Sequence, residues 1–373
     1  MVGGLHRLVS ALGTKSVQVW EWDKNTVLKP RLANKPNWHS LANPRRQLTF
    51  SGWQLAHAVA KADHMVKANL FGPSLGFLLQ AHHVIDSASS NLRIIDNLSG
   101  TLNEIALSGL SARIAQGISL LFANQREYVF AGHLASDPAV PKNTKAADFI
   151  FEDASKGRMI LESKGSFSMQ ANDPSKVKTI LKAALEDQVQ PWLAKISPPA
   201  SKGFVTYSCI REKSQSTDSA VIFVDPPGEA DGEQFDIEPS WVRRRNYGAW
   251  FDAMGLPGAG DRLRRTDRAS MQAVTLPVFV IGPYKFALML AWTPYDGGAF
   301  VGYGIEVSIL RGIERALAGD ESFLLDFEGL AFGGFGEEVF ASDVARQWSL
   351  MPDGTFFGSV NPGQFVQFEV FKL

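Results

Sequence analysis

A single cysteine, Cys209, stands among 373 residues. A lone thiol excludes an intramolecular disulfide framework and any zinc site built from several cysteines. No apolar run reads as long enough for a membrane span. The opening MVGGLHRLVSALGTKS lacks the layout of a secretory signal. Together these absences point to a cytoplasmic protein with no membrane partner. The chain also lacks a phosphate loop and a dinucleotide fingerprint. GGAFVGYGIE and FGGFGEE are rich in glycine, but neither follows a strand with the required spacing, so both read as β-turns and close strand packing. Internal repeats and low-complexity tracts are missing too.

What is present is ordinary in bulk and uneven in detail. Hydrophobic residues make up 45% and charged residues 20%, as in a globular domain with a sizeable core, and the length suits two or three packed units. The net charge of −1 hides an asymmetry. Residues 1–50 carry eight lysines and arginines against two acids. Residues 239–290 carry eight against three, and residues 291–373 carry four against twelve. Two basic segments in a near-neutral chain suit phosphate-binding faces. They suit equally well a solvated surface, or pairing with the acidic tail.

The patterning divides the chain into three regions. Residues 1–100 form a basic and helical N-terminal region of unknown role, with irregular or short-strand structure such as SVQVWEW before helices over 52–70 and 75–96. Residues 101–230 form an α/β core. Its first helix, over 102–124, lines up Leu110, Ile114, Gly117, Ile118 and Leu121 on one face. Strands follow at 127–135, in the hairpin 147–167, at 203–210 and at 219–227. A second helix starts near Pro174, capped by Asn172 or Asp173. Val177, Leu181, Ala184, Gln188 and Trp192 share its inner face, and Pro191 bends or ends it. Residues 231–373 are an α+β region, mostly β at the end, suited to nucleic-acid or partner binding.

The hairpin ADFIFEDASKGRMILESKGSF carries the chemistry. Folding at Ala154-Ser155-Lys156-Gly157 sets Asp148 across from Glu162. Lys164, two residues on, shares their face, while Phe149, Phe151, Met159 and Leu161 take the other. Two carboxylates side by side in a covered sheet repel unless something compensates. A hard divalent cation does so. The plainer alternative is an exposed hairpin with a surface ion pair, worth little energetically.

Asp148, a thirteen-residue gap and Glu162-Ser163-Lys164 resemble the motif of the PD-(D/E)xK, or restriction-endonuclease-like, nuclease superfamily. The order helix, three strands, helix, strand over 101–230 is similar to its core. The resemblance implies a mixed sheet flanked by helices, with Mg²⁺ or Mn²⁺ held by Asp148, Glu162 and the Ser163 carbonyl, and Lys164 as the catalytic lysine. Ala147 stands where the family's proline is usual. Some members add a further polar residue, for which Glu104, Glu127 and Gln188 are local candidates. Gln188, on the inward face, is the preferred catalytic addition.

Other constellations are weaker. His57, His64, His82 and His83 with Asp86 match no known ligand spacing and read as core or surface histidines. Cys209 reads as a buried apolar residue. WVRRRNYGAW and RLRRTDR offer Arg243, Arg244, Arg245, Arg262, Arg264 and Arg265 for nucleic-acid phosphates, with Trp241, Tyr247 and Trp250 for stacking. The same pattern fits an amphipathic helix with its aromatics in the core. The expected function is therefore a metal-dependent endonuclease acting on DNA, with RNA as the other substrate class, in bacterial restriction or phage defence. Its expected partners are a second copy or another defence protein. The alternative is a non-catalytic nucleic-acid-binding or scaffold component of a defence or repair complex on the same fold.

Overall fold

The computed structural model describes residues 12–29, 41–66, 83–137, 140–141, 144–167, 174–225, 235–265, 271–292, 300–330 and 347–373. The first two strands, β1 (Thr14–Trp22) and β2 (Ala42–Ser51), pair antiparallel and lead into helix α1 (Gly52–Val66). Helix α2 (Glu104–Gln125) follows a short extended segment. Asn103 starts it by accepting a hydrogen bond from the Ala106 N–H at 2.8 Å. An antiparallel meander comes next: β3 (Tyr128–His133), β4 (Phe149–Asp153) and β5 (Arg158–Ser166). Helix α3 (Pro174–Ala184) carries the chain back to β6 (Lys202–Cys209), which pairs parallel to β5. Strand β7 (Ala220–Val224) joins β6 antiparallel and β1 parallel.

These seven strands form one mixed sheet in the order β2-β1-β7-β6-β5-β4-β3. The expected helix–meander–helix–strand order is thus observed, and its sheet is extended at one side by strands from the first fifty residues. Helix α2 lies on one face. A side chain at Gly165 would meet Ala115 Cβ at 2.5 Å and the Ser111 carbonyl at 3.0 Å, so the helix sits almost on the strand backbone there. Helix α2 is long and apolar enough by composition to cross a membrane. Here Ile114, Ile118, Leu121 and Phe122 are buried within the protein. On the other face, Val189 and Leu193 close over Gly203. The turn Leu185–Val189 is π-helical. Pro191 explains it, because a proline has no N–H for the ladder and its ring crowds the carbonyl four residues back.

The helix expected over 75–96 is not seen beyond Val84 in its described part. Asp86 accepts the Ser89 N–H at 3.0 Å, and Arg93–Ile94 pairs as a two-residue strand with Arg211–Glu212. The SASSN run supplies turn chemistry that competes with a helix. The proposed caps Asn172 and Asp173 lie outside the described residues.

The C-terminal region begins with α4 (Trp241–Ala253) and α5 (Pro257–Arg265). A six-stranded antiparallel sheet follows, from β8 (Ala273–Ile281), β9 (Tyr284–Trp292), β10 (Phe300–Glu306), β11 (Trp348–Leu350), β12 (Thr355–Val360) and β13 (Phe365–Lys372). Its order is β11-β12-β10-β9-β8-β13, with α6 (Val307–Leu317) inserted after β10. One buried apolar cluster runs from Leu12 to Leu373 and joins the two sheets. At their junction Lys61 of α1 is ion-paired with Asp353, both fully enclosed. Asp353 also accepts from Asn246 Nδ2 at 2.5 Å and Thr355 Oγ1 at 2.7 Å.

Candidate metal and phosphodiester site

The site grows from the middle of the meander. The turn between β4 and β5 has Lys156 in the left-handed region, at φ 67°, and the Gly157 N–H donates to Asp153 Oδ1 at 2.8 Å. This sets the register Phe149 to Leu161 and Phe151 to Met159. Residues 159–161 are all buried, so β5 is covered on both faces. One step beyond Phe149 the pairing passes from backbone to side chains. The Asp148 N–H donates to Glu162 Oε2 at 2.9 Å, and the Ser163 N–H donates to Asp148 Oδ2 at 3.0 Å. The other Glu162 oxygen, Oε1, takes the Lys164 ammonium. Three charged groups of the motif therefore meet on one face, as the hairpin register requires.

The electrostatics follow from this crowding. Glu162 is 1% exposed. Burial and the neighbouring Asp148 carboxylate push its pKa up to about 7, against the opposing pull of Lys164. Burial likewise raises Asp148, opposed by the Ser163 N–H and Lys164. The Lys164 side chain is 35% exposed, so the site opens to solvent on the lysine side. In an extended strand the N–H and C=O of one residue point to the same edge. The Ser163 N–H meets Asp148, so the Ser163 carbonyl lies on that edge as well, past the first residue of β4.

These donors are all oxygen, two of them carboxylates short of positive charge. That set suits a hard divalent cation, which accepts one or two carboxylates and keeps water as its other ligands. Among the described residues, no group of three or more His, Cys, Asp or Glu side chains gathers as a metal cluster.

Several supporting residues escaped the sequence reading. Ser119 Oγ of α2 lies 2.9 Å from Ser163 Oγ and 2.8 Å from Thr206 Oγ1, and Thr206 donates to the Glu162 carbonyl at 3.2 Å. This hydroxyl chain locks the helix, β5 and β6 together behind the carboxylates. Trp192 Nε1 donates to the Lys145 carbonyl at 2.8 Å. Gln188 Nε2 donates to the Ala146 carbonyl at 3.3 Å. Gln188, unlike the others, was a candidate from the sequence, and this bond has it hold the segment leading to Asp148. Small hydroxyl residues and an indole carry no motif, and only the fold shows what they touch.

The other two candidates do not join the site. Glu127 is exposed, in the left-handed region at φ 68°, and precedes Tyr128, which pairs with Asp153 at the turn end of the meander. That is the opposite end from Asp148. Glu104 is exposed in the first turn of α2, on the helix that covers the Ser163 face rather than the Glu162 face.

Most of the arginines expected on nucleic acid are committed to the protein's own interior or to its ion pairs. Arg243 is 1% exposed. Its Nε donates to Glu152 Oε1 at 2.7 Å, Nη1 to the Leu324 carbonyl at 2.8 Å, and its guanidinium lies 4.4 Å from the Phe130 ring centroid. Arg244, also buried, pairs with Glu321 and donates to the Leu263 carbonyl at 3.2 Å. Arg264 pairs with Asp252 and, at 3.4 Å, with Asp261. Arg243 and Arg244, buried and carboxylate-paired, are closed off from a phosphate in solution, and Arg264 is largely covered and held by two carboxylates. Arg245 stacks 5.3 Å from the Trp241 ring and donates to the Ser136 carbonyl at 3.1 Å. Arg262 donates to the Leu373 carbonyl at 2.7 Å, and Arg265 is exposed at the end of α5. Trp241, Tyr247 and Trp250 are core residues.

The histidines are dispersed. His57 is enclosed between Ser349 Oγ at 3.0 Å and Thr355 Oγ1 at 3.1 Å, and burial drives its pKa down to about 3. Burial lowers His64 to about 4. His83 is exposed, and His82 lies outside the described residues. Asp86 pairs with Lys213 at 3.3 Å. Cys209 is buried, its thiol pushed up by desolvation. Against known proteins, no family model matches this sequence, and neither characterised proteins nor solved structures give a match to it.

Proposed function

We propose that this chain is a metal-dependent nuclease that hydrolyses phosphodiester bonds, with DNA as its substrate. One observation carries the reading. Two reciprocal main-chain hydrogen bonds hold the Asp148 and Glu162 carboxylates side by side in a covered sheet, with Lys164 at the open side. Two buried carboxylates share a single ammonium, that of Lys164, and a bound divalent cation would compensate the charge that remains. The element order around them, a helix, an antiparallel meander, a helix and a strand parallel to the last of the meander, resembles the PD-(D/E)xK core.

In this reading Asp148, Glu162 and the Ser163 carbonyl hold Mg²⁺ or Mn²⁺. The bound ion would supply an activated water and screen the charge on the phosphate. Lys164 presents its ammonium at the solvent side, where it steadies the negative charge that develops on phosphate oxygens in the transition state. Gln188 and Trp192 are positioning residues, fixing the two residues ahead of Ala147 and so the aim of Asp148. Ser119 and Thr206 hold β5 from behind.

The test is incubation of the purified chain with linear, circular and single-stranded DNA and with RNA, in Mg²⁺, Mn²⁺ or EDTA. Cleavage of DNA is expected only with metal, and Glu162→Gln should lose it while keeping its circular dichroism spectrum. Full cleavage by Glu162→Gln would sink the assignment. A folded protein that neither cleaves nor binds metal at this hairpin supports the scaffold reading instead.

A further inference from the structure

Strand β13 is the outer strand of the six-stranded sheet. From Phe368 on, its even-numbered residues turn their backbone groups away from β8. The Val370 carbonyl accepts from Arg311 Nη1 at 3.0 Å, and the Lys372 N–H donates to Glu314 Oε1 at 2.8 Å. Helix α6 therefore closes the far end of this edge with charged side chains, a usual protection for an edge strand. The protection stops there. Among the described residues, no hydrogen bond from another element reaches the outward backbone of Phe368. The side chains of Val366, Phe368 and Val370 are 46%, 66% and 54% exposed; Phe368 and Val370 share the outer face, while a bulge opposite Val278 and Phe279 breaks the alternation at Val366 and brings the Phe365 ring within 5.2 Å of Phe368. A run of large apolar side chains along an open edge marks an interaction site.

The sequence of the strand says what fits. FVQFEVF, residues 365–371, reads nearly the same in both directions about Phe368. We infer that β13 pairs antiparallel with the β13 of a second copy of this chain, about a two-fold axis through Phe368, joining two six-stranded sheets into one. In that register Val366 faces the partner's Val370, Phe368 faces the partner's Phe368, and Gln367 faces the partner's Glu369. Phe368 meets its own copy on the outer face, and an amide meets a carboxylate on the inner one. The neighbouring registers are worse. Moving the axis to Glu369 opposes two like charges, and moving it to Gln367 sets Phe365 against Glu369. The Val370 carbonyl can take the new bond beside Arg311, since a carbonyl oxygen accepts two. This inference stands independently of the nuclease reading.

Sedimentation equilibrium on the full chain tests it, with Phe368→Lys as the disrupting variant and circular dichroism as the control for folding. A dimer is expected, weakened at least ~tenfold by Phe368→Lys, which opposes two ammonium groups at the axis. Register is read by oxidation. Phe368→Cys should cross-link between chains. Val370→Cys alone should not, because its two copies lie roughly 13 Å apart along the strands. A mixture of Val366→Cys and Val370→Cys chains should cross-link. A monomer at all concentrations, a dimer indifferent to Phe368→Lys, or cross-linking of Val370→Cys alone would overturn the inference.

Discussion

At the scale of single residues, the charges of this protein divide into those the fold satisfies and those it holds in conflict. Glu162 is the clearest conflict. Its carboxyl is raised to about 7, above the ordinary glutamate range, by burial and by Asp148. In that window the metal-free fold binds more protons than the unfolded chain, so stability declines as pH rises and levels off above pH 7. Melting temperatures from pH 5 to pH 8 should show this slope, and Glu162→Gln should flatten it. Equal slopes for the two proteins would contradict the assignment of the charge to Glu162. Added Mn²⁺ should raise the melting temperature more at pH 8 than at pH 5.5, since the ion competes with protons for the same oxygens. Arg243 is the opposite case, its Nε bonded to Glu152 and its Nη1 to two carbonyls. Arg243→Ala leaves the Glu152 carboxylate buried without its closest partner and should cost about 3–5 kcal/mol in urea denaturation. The site residues were legible because a hairpin register is arithmetic: a turn at 154–157 places Asp148 against Glu162 whatever surrounds it. Phosphate contact and a core helix both stayed open for Arg243 and Arg244 because sequence shows charge but not depth. Glu152, Glu321 and Asp252, which pair with Arg243, Arg244 and Arg264, lie up to 91 positions away.

At the scale of elements, strand β5 depends on what lies directly behind it. Gly165 lets α2 approach to within contact of the strand backbone one residue after Lys164. Gly165→Ala puts a methyl group 2.5 Å from Ala115 Cβ. It should cost roughly 1–3 kcal/mol by overpacking. Because it pushes the end of β5 away from its helix, it should also lower cleavage more than binding of metal. Urea midpoints and cleavage rates on the same protein check both. Helices α2 and α3 and the strands from β3 to β7 announce themselves through period and turn chemistry. The π-turn at Leu185–Val189 was foreshadowed only as a bend, by Pro191. The segment after Val84 was misread because its apolar residues fall at helical intervals while SASSN favours turns. Strand β1 enters the central sheet through a partner far along the chain, Ala220 opposite Gln18, and brings β2 with it as the edge strand; no local pattern reveals such a pairing.

At the scale of the whole molecule, the two sheets are tied by a buried polar junction as well as by apolar contact. Lys61, Asp353, Asn246, Thr355 and His57 come from α1, α4 and the β11–β12 turn region, and every one is enclosed. Asp353→Ala should cost about 3–5 kcal/mol by stranding the Lys61 ammonium. The wild-type protein should unfold in one transition by both tryptophan fluorescence and far-ultraviolet circular dichroism. Loss of the C-terminal sheet in a separate, earlier step would contradict that coupling. The central claim concerns the other end of the α/β sheet, and one comparison tests it most directly: Mn²⁺ binding and DNA cleavage measured on the wild type and on Lys164→Ala, side by side. In the proposed mechanism Lys164 stabilises developing charge without ligating the metal, so the variant should bind Mn²⁺ about as tightly as the wild type and lose cleavage by roughly a hundredfold or more. Cleavage by Lys164→Ala at the wild-type rate, or a wild-type protein that binds no metal at this site, would contradict the account.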